Sequence, residues 1–134
     1  MKNNVLDWRL RLLQKARIEQ GNSQKVLDVG CGDGGDCAIF ADKCNEVTGI
    51  DIDPYSEWAD ISKANVRLLT ADACHLPLPD NHFDIIFAKD TLHHIENHKK
   101  AVEEMKRVAK RGGKIFILEA NRYNPILYLH MTML

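Results

Sequence analysis

Residues 26–37, VLDVGCGDGGDC, run an apolar stretch into a cluster of glycines flanked by acids. Gly30, Gly32 and Gly34 permit backbone angles closed to other residues and let the chain approach a ligand closely. Gly30, Gly32 and Gly35 also satisfy G-x-G-x-x-G, the dinucleotide fingerprint, yet a glycine turn serves plain strand-to-helix packing equally well. The acids separate these readings. Asp28, Asp33 and Asp36 would repel a pyrophosphate at short range, whereas a ligand with a cationic or donor-rich portion is attracted. Asp51, about 20 residues past the glycine turn, is placed to accept hydrogen bonds from ribose hydroxyls. Asp53 better suits the cap of a helix opening at Pro54. Asp72 follows a third apolar run and can accept from an exocyclic adenine amine. Together they describe a site for a nucleoside carrying a positive group.

His93 and His94 face the expected mouth of this site and are candidates for substrate contact or proton removal. A capping or packing role near Ile95 competes with that reading. His75, His82, His98 and His130 have no role that spacing assigns, and no closed ligand set suits zinc, so no metal is expected. Cys31, Cys37, Cys44 and Cys74 show no C-x-x-C spacing and read as reduced structural thiols. Trp8 and Trp58 read as core or groove residues. Glu119, Asn121, Arg122 and Tyr123 leave a strand at the ligand edge, where they line an acceptor pocket or form a structural turn.

Alternating strands and helices must hold these residues in place. Val5, Trp8, Leu12 and Ala16 share one stripe, with Leu6, Leu10 and Leu13 beside it, which predicts an amphipathic helix within residues 1–22. KVLDVG (25–30), EVTGID (46–51), VRLLTAD (66–72), FDIIFAKD (83–90) and KIFILEA (114–120) read as buried parallel strands. DCAIFADKC and PYSEWADIS read as helical crossovers, and LPLPDN (76–81) as a turn before the fourth strand. Ile95, Val102, Met105 and Ala109 mark a helix over 95–110 that stops at Gly112 and Gly113. Asn124 and Pro125 open a closing helix over 124–134. The pattern predicts one α/β domain over 1–134, a doubly wound parallel sheet with helices on both faces, its cofactor-binding core at 25–120. Ligands of such sheets sit at the carboxyl ends of the strands.

The 134 residues carry a formal net charge of -1, which leaves no electrostatic footprint for nucleic acid or an anionic membrane. No apolar run approaches the roughly 18 residues needed to span a bilayer, and the start of the chain lacks an apolar signal core. A soluble, cytoplasmic protein is the expectation.

VLDVGCGDG (26–34), VTGIDID (47–53), ADACHLPLPDNHFDIIFAKDTLHHI (71–95) and RGGKIFILEAN (111–121) resemble, in order and spacing, the class I S-adenosylmethionine-dependent methyltransferases with a small-molecule type of core. The resemblance implies S-adenosyl-L-methionine as cofactor, strand order 3-2-1-4-5, and methyl transfer by in-line displacement to a nucleophile on an acceptor, most simply a small molecule. By the same resemblance, Asp28, Gly30, Cys31, Gly32 and Gly34 form the loop against the methionine portion and ribose. Asp28 there helps hold the ammonium through water. Asp51 binds the ribose hydroxyls, Ile52 packs on adenine, and Asp72 and the Ala73 backbone meet the adenine amine. Ala88 and Lys89 fall at the methionine end, where a lysine is unusual. The family continues past strand five with a helix and two antiparallel strands, and this sequence is expected to stop short of them. The expectation is a shortened domain, its strand-five edge covered by the closing helix, a second copy or a partner. A non-catalytic S-adenosylmethionine-binding module and an NAD-dependent oxidoreductase are the alternatives.

Overall fold

The structure is a computed structural model that describes residues 24–119 and 127–132. β1 (Lys25–Val29), β2 (Glu46–Asp51), β3 (Val66–Thr70), β4 (Phe83–Lys89), β5 (Ala109–Glu119) and β6 (Leu127–Thr132) form one sheet in the order β3-β2-β1-β4-β5-β6. The first five strands are parallel and carry the expected order 3-2-1-4-5. The order reverses at β1, which pairs with β2 on one side and β4 on the other. Ligands of such sheets sit at that crevice.

The central strands β1, β2 and β4 are buried on both faces because both faces are covered. Successive side chains alternate, so Leu27, Val29, Ile86, Ala88, Ile115 and Ile117 pack in one core with Met105 and Val108 of α2 (His98–Val108). Val26, Ile85, Phe87 and Phe116 pack on the opposite face with Cys37 and Phe40 of α1 (Gly35–Phe40). The rings of Phe40, Phe87 and Phe116 stack there, with centroids 4.5 and 5.3 Å apart in succession. Asp28 shares the parity of Val26, which turns its side chain to the α1 face. Among the described residues no helix is long and apolar enough to cross a membrane.

The structure departs from the sequence expectations in three elements. Where a closing helix was expected over 124–134, residues 127–132 form β6, antiparallel to β5 from Lys114↔Thr132 to Glu119↔Leu127. An extended segment satisfies the open row of peptide groups along β5, which a helix leaves unpaired. The edge of strand five is therefore covered by the chain itself. Second, α2 ends at Val108, and Gly112 and Gly113 lie within β5. Its pairing steps from Phe83↔Ala109 to Ile85↔Lys114, so residues 110–113 loop out. Third, the Pro54 segment makes only a 3₁₀ turn over Ser56–Asp60, capped at Tyr55. Its side chains are too polar for a longer amphipathic helix, and Trp58 is tied instead to the glycine loop. Asp53 caps nothing there, and its N–H is held by Asp51 Oδ1 at 3.2 Å. The helix expected within residues 1–22 lies outside the described residues, as do Asn121, Arg122 and Tyr123.

Candidate functional site

A cavity of about 1020 Å³ opens at the carboxyl ends of β1 to β4. Its floor is the turn after β1, fastened to β2 by the Gly30 and Cys31 N–H groups, which both donate to the Ile50 carbonyl at 2.8 and 2.9 Å. Gly32 N–H donates to Asp51 Oδ2 at 2.9 Å, and Trp58 Nε1–H donates to the Gly32 carbonyl at 2.8 Å. Two glycines here are structurally required. Gly30 has φ +75°, and a Cβ on it would collide with the Thr91 side chain. Gly32 has φ +54°, and a Cβ on it would meet no protein atom within 4 Å. Its bare backbone therefore borders open space that a ligand can fill.

The second wall is acidic. Each Asp51 oxygen takes one backbone N–H, from Gly32 and from Asp53, which leaves lone pairs on both oxygens for further donors. Asp72 Oδ1 accepts the Cys74 N–H at 2.9 Å, and Oδ2 lies 3.5 Å from His75 Nδ1. The Cys74 N–H holds the Asp72 carboxyl below its ordinary range, with His75 adding to the effect against some desolvation. Both carboxylates keep acceptor capacity beyond these contacts.

Of the residues expected to hold the cofactor, Gly30, Gly32, Asp51, Ile52, Asp72, Ala73 and Lys89 line the cavity. Cys31 and Ala88 are buried, and Gly34 packs under the loop against Ile61 and Leu68. These three build the wall from behind. Asp28 lies outside the cavity lining and, only 4% exposed, accepts from the Cys37 thiol at 3.5 Å. Burial and the neighbouring Asp36 push its pKa up to about 7, opposed by the Cys37 contact and Lys89. Cys37, against Cys31 and buried, and Cys44, raised to about 11 by burial, are held as thiols. They are structural groups rather than nucleophiles.

His94 lines the cavity, whereas His93 stands beside it with Nδ1 2.7 Å from Glu119 Oε2. Sequence reasoning missed Thr91, Tyr55, Asn97 and Lys100, which also line the cavity. Thr91 is adjacent to Gly30 only through the β1·β4 pairing, and its hydroxyl lies 2.9 Å from the Lys89 carbonyl and 3.2 Å from that of Val29. Asn97 carried a readable signal, since it caps α2 by accepting the Lys100 N–H at 3.0 Å. The open face at Gly32, the spare acceptors of Asp51 and the anionic β3 end fit an S-adenosylmethionine molecule.

Residues 27–117 match the family model described as a methyltransferase domain. A demethylmenaquinone methyltransferase from Staphylococcus aureus is 35% identical over 134 aligned residues, covering 90% of this chain and 54% of that protein. The chain thus spans about half the length of the curated relatives it matches. A SAM-dependent methyltransferase from Aquifex aeolicus superposes with a TM-score of 0.73 at 29% identity, covering 84% of this chain and 64% of that one. The YcgJ protein from Bacillus subtilis gives 0.74 at 28% identity, covering 86% and 51%.

Proposed function

The chain belongs to the class I S-adenosylmethionine-dependent methyltransferases, and on that footing we propose that it transfers a methyl group from this cofactor to a small acceptor. The observation that carries the proposal is the Asp51 carboxylate, fixed by the Gly32 and Asp53 N–H groups at the cavity wall with acceptor capacity to spare. In this reading Asp51 holds the ribose hydroxyls, Ile52 covers one face of the adenine, and Asp72 and the Ala73 backbone meet its edge. The turn Gly30–Gly32 lies against the methionine portion with Lys89 at its far end. Asp28, Cys31, Gly34 and Ala88 hold that turn from below.

When bound, the cofactor supplies a methyl carbon made electrophilic by a sulfonium. The protein's part is alignment, which can contribute roughly 7 to 11 kcal/mol to lowering a barrier. His93 and His94 stand at the end of the cavity where an acceptor meets the methionine portion, and they serve there as substrate contact or base. The name of the Staphylococcus aureus relative supports a quinone-type acceptor. Transfer of labelled methyl to demethylmenaquinol supports that choice, and its absence from a protein that binds cofactor points to another acceptor.

Calorimetric titration with S-adenosylhomocysteine tests the site itself. Asp51→Ala removes hydrogen bonds to a charged group worth about 1.5 to 3 kcal/mol, so affinity should fall by roughly 10- to 100-fold. Gly32→Ala should weaken binding comparably by filling the open face. Unchanged affinity in both variants would mean that the ligand lies elsewhere.

A further inference from the structure

Glu119, the last residue of β5, closes two contacts at once. Its Oε1 accepts the Leu92 N–H at 2.7 Å, and its Oε2 lies 2.7 Å from His93 Nδ1. A carboxylate only accepts, so the contact requires the proton on Nδ1, and in the neutral ring that leaves the lone pair on Nε2. The carboxylate is sheltered, its side chain 19% exposed, while the His93 ring is 53% exposed. The base thus faces outward with its orienting group behind it. The His93 ring lies against that of His94, with centroids 3.9 Å apart, and His94 belongs to the cavity wall. β5 and β4 lie on the opposite side of β1 from β3 and Asp72. The pair therefore stands at the end of the crevice away from the adenine side.

We propose that Glu119 is a positioning residue that locks His93 in the Nδ1–H tautomer, so that Nε2 takes the proton from a protic acceptor bound beside the cavity. The inference rests on the methyl-transfer reading and narrows the acceptor class to a hydroxyl or another nucleophile that must lose a proton. In that step the acceptor's X–H bond breaks and its electron pair stays on X. The proton forms the new N–H bond at Nε2, and the positive ring faces the Glu119 carboxylate. The half-exposed ring then returns the proton to solvent. A loop anchor alone would need only the Leu92 contact, and the second carboxylate oxygen would have no reason to meet the imidazole.

Glu119→Gln separates these roles. With its carbonyl kept toward the Leu92 N–H, the amide turns a donor toward Nδ1 and forces the ring proton to Nε2, the wrong tautomer for a base at that atom. Long-range proton–nitrogen spectra of isotope-labelled protein, with His93→Asn for assignment, read the tautomer without any turnover. The expected result is Nδ1–H in the wild type and Nε2–H in Glu119→Gln. Modification of His93 by diethylpyrocarbonate should slow by roughly tenfold or more in the variant. A wild-type ring protonated on Nε2 overturns the proposal, and that spectrum needs no variant to fold. A reversed tautomer with unchanged reactivity overturns it too. Titration of the wild type with S-adenosylhomocysteine runs alongside. Failure to bind overturns the methyl-transfer reading and the proton role with it, whereas binding with the wrong tautomer overturns only the Glu119 proposal.

Discussion

Asp28 is a carboxyl placed where the fold disfavours its charge. Buried on the α1 face beside Asp36, it is pushed from an ordinary 3.8 to about 7. Between those values the folded state holds a proton that the unfolded chain has lost, so stability falls as pH rises from about 4 to about 7 and levels off above. Asp28→Asn removes this dependence. The stability gap between variant and wild type should widen by roughly 2 kcal/mol from pH 5 to pH 8, in favour of the variant, measured by chemical denaturation. Parallel curves across that range would show that the native carboxyl is already ionised at pH 5. The same residue shows what a motif leaves out. VLDVG places an acid two residues ahead of Gly30, but only the strand's alternation shows that its side chain is buried on the α1 face.

At the scale of elements, α2 holds the wall that carries Asp72. Arg107 donates to the Leu76 and Leu78 carbonyls at 2.9 Å each, and its Nε donates to Glu104 Oε1 at 2.9 Å. Glu104 in turn accepts the Leu76 N–H at 2.8 Å and is held down to about 2, chiefly by Arg107. Arg107→Ala leaves a carboxylate only 8% exposed with Lys100 Nζ, 3.9 Å away, as its remaining ion-pair partner, which should cost about 3 kcal/mol in a denaturation experiment. Glu104's contribution is complete above its ordinary 4.5 and lost as pH falls through about 2, so the variant should also lose that acid-side slope. A loss under 1 kcal/mol would mean that the 76–80 turn stands without α2. This turn was legible as LPLPDN, but its anchor was not, because Arg107 reads locally as a cation suited to a helix end. The strands were legible because each is a compact apolar run, and β2 keeps the expected bounds. The end of α2 and the nature of β6 were not, since the first is decided by the pairing of Ala109 with Phe83, distant in sequence, and the second by the open edge of β5. Glu119 was readable as a residue at the ligand edge, yet its bond to His93 joins the end of β5 to the loop after β4.

At the scale of the whole molecule, the parallel order around β1 admits two kinds of nucleotide ligand, and electrostatics chooses between them. A dinucleotide would place its pyrophosphate at the start of α1. There the Gly35 N–H is already taken by Asp33 Oδ1 at 2.9 Å, and Asp36 lies in the first turn. Both features oppose a phosphate and tolerate a ligand whose charge is positive. A ligand that binds only the native state raises stability by about 2.7 kcal/mol at 100 times its dissociation constant. For a domain of this size that corresponds to a rise of about 10 °C in melting temperature. S-adenosylmethionine and S-adenosylhomocysteine should both produce such a shift, and NAD at the same concentration should produce none. A shift with NAD alone would return the Gly30, Gly32 and Gly35 spacing to a dinucleotide role. It would also require the Asp33 side chain to leave Gly35, a movement that exchange protection of the Gly35 N–H would report directly.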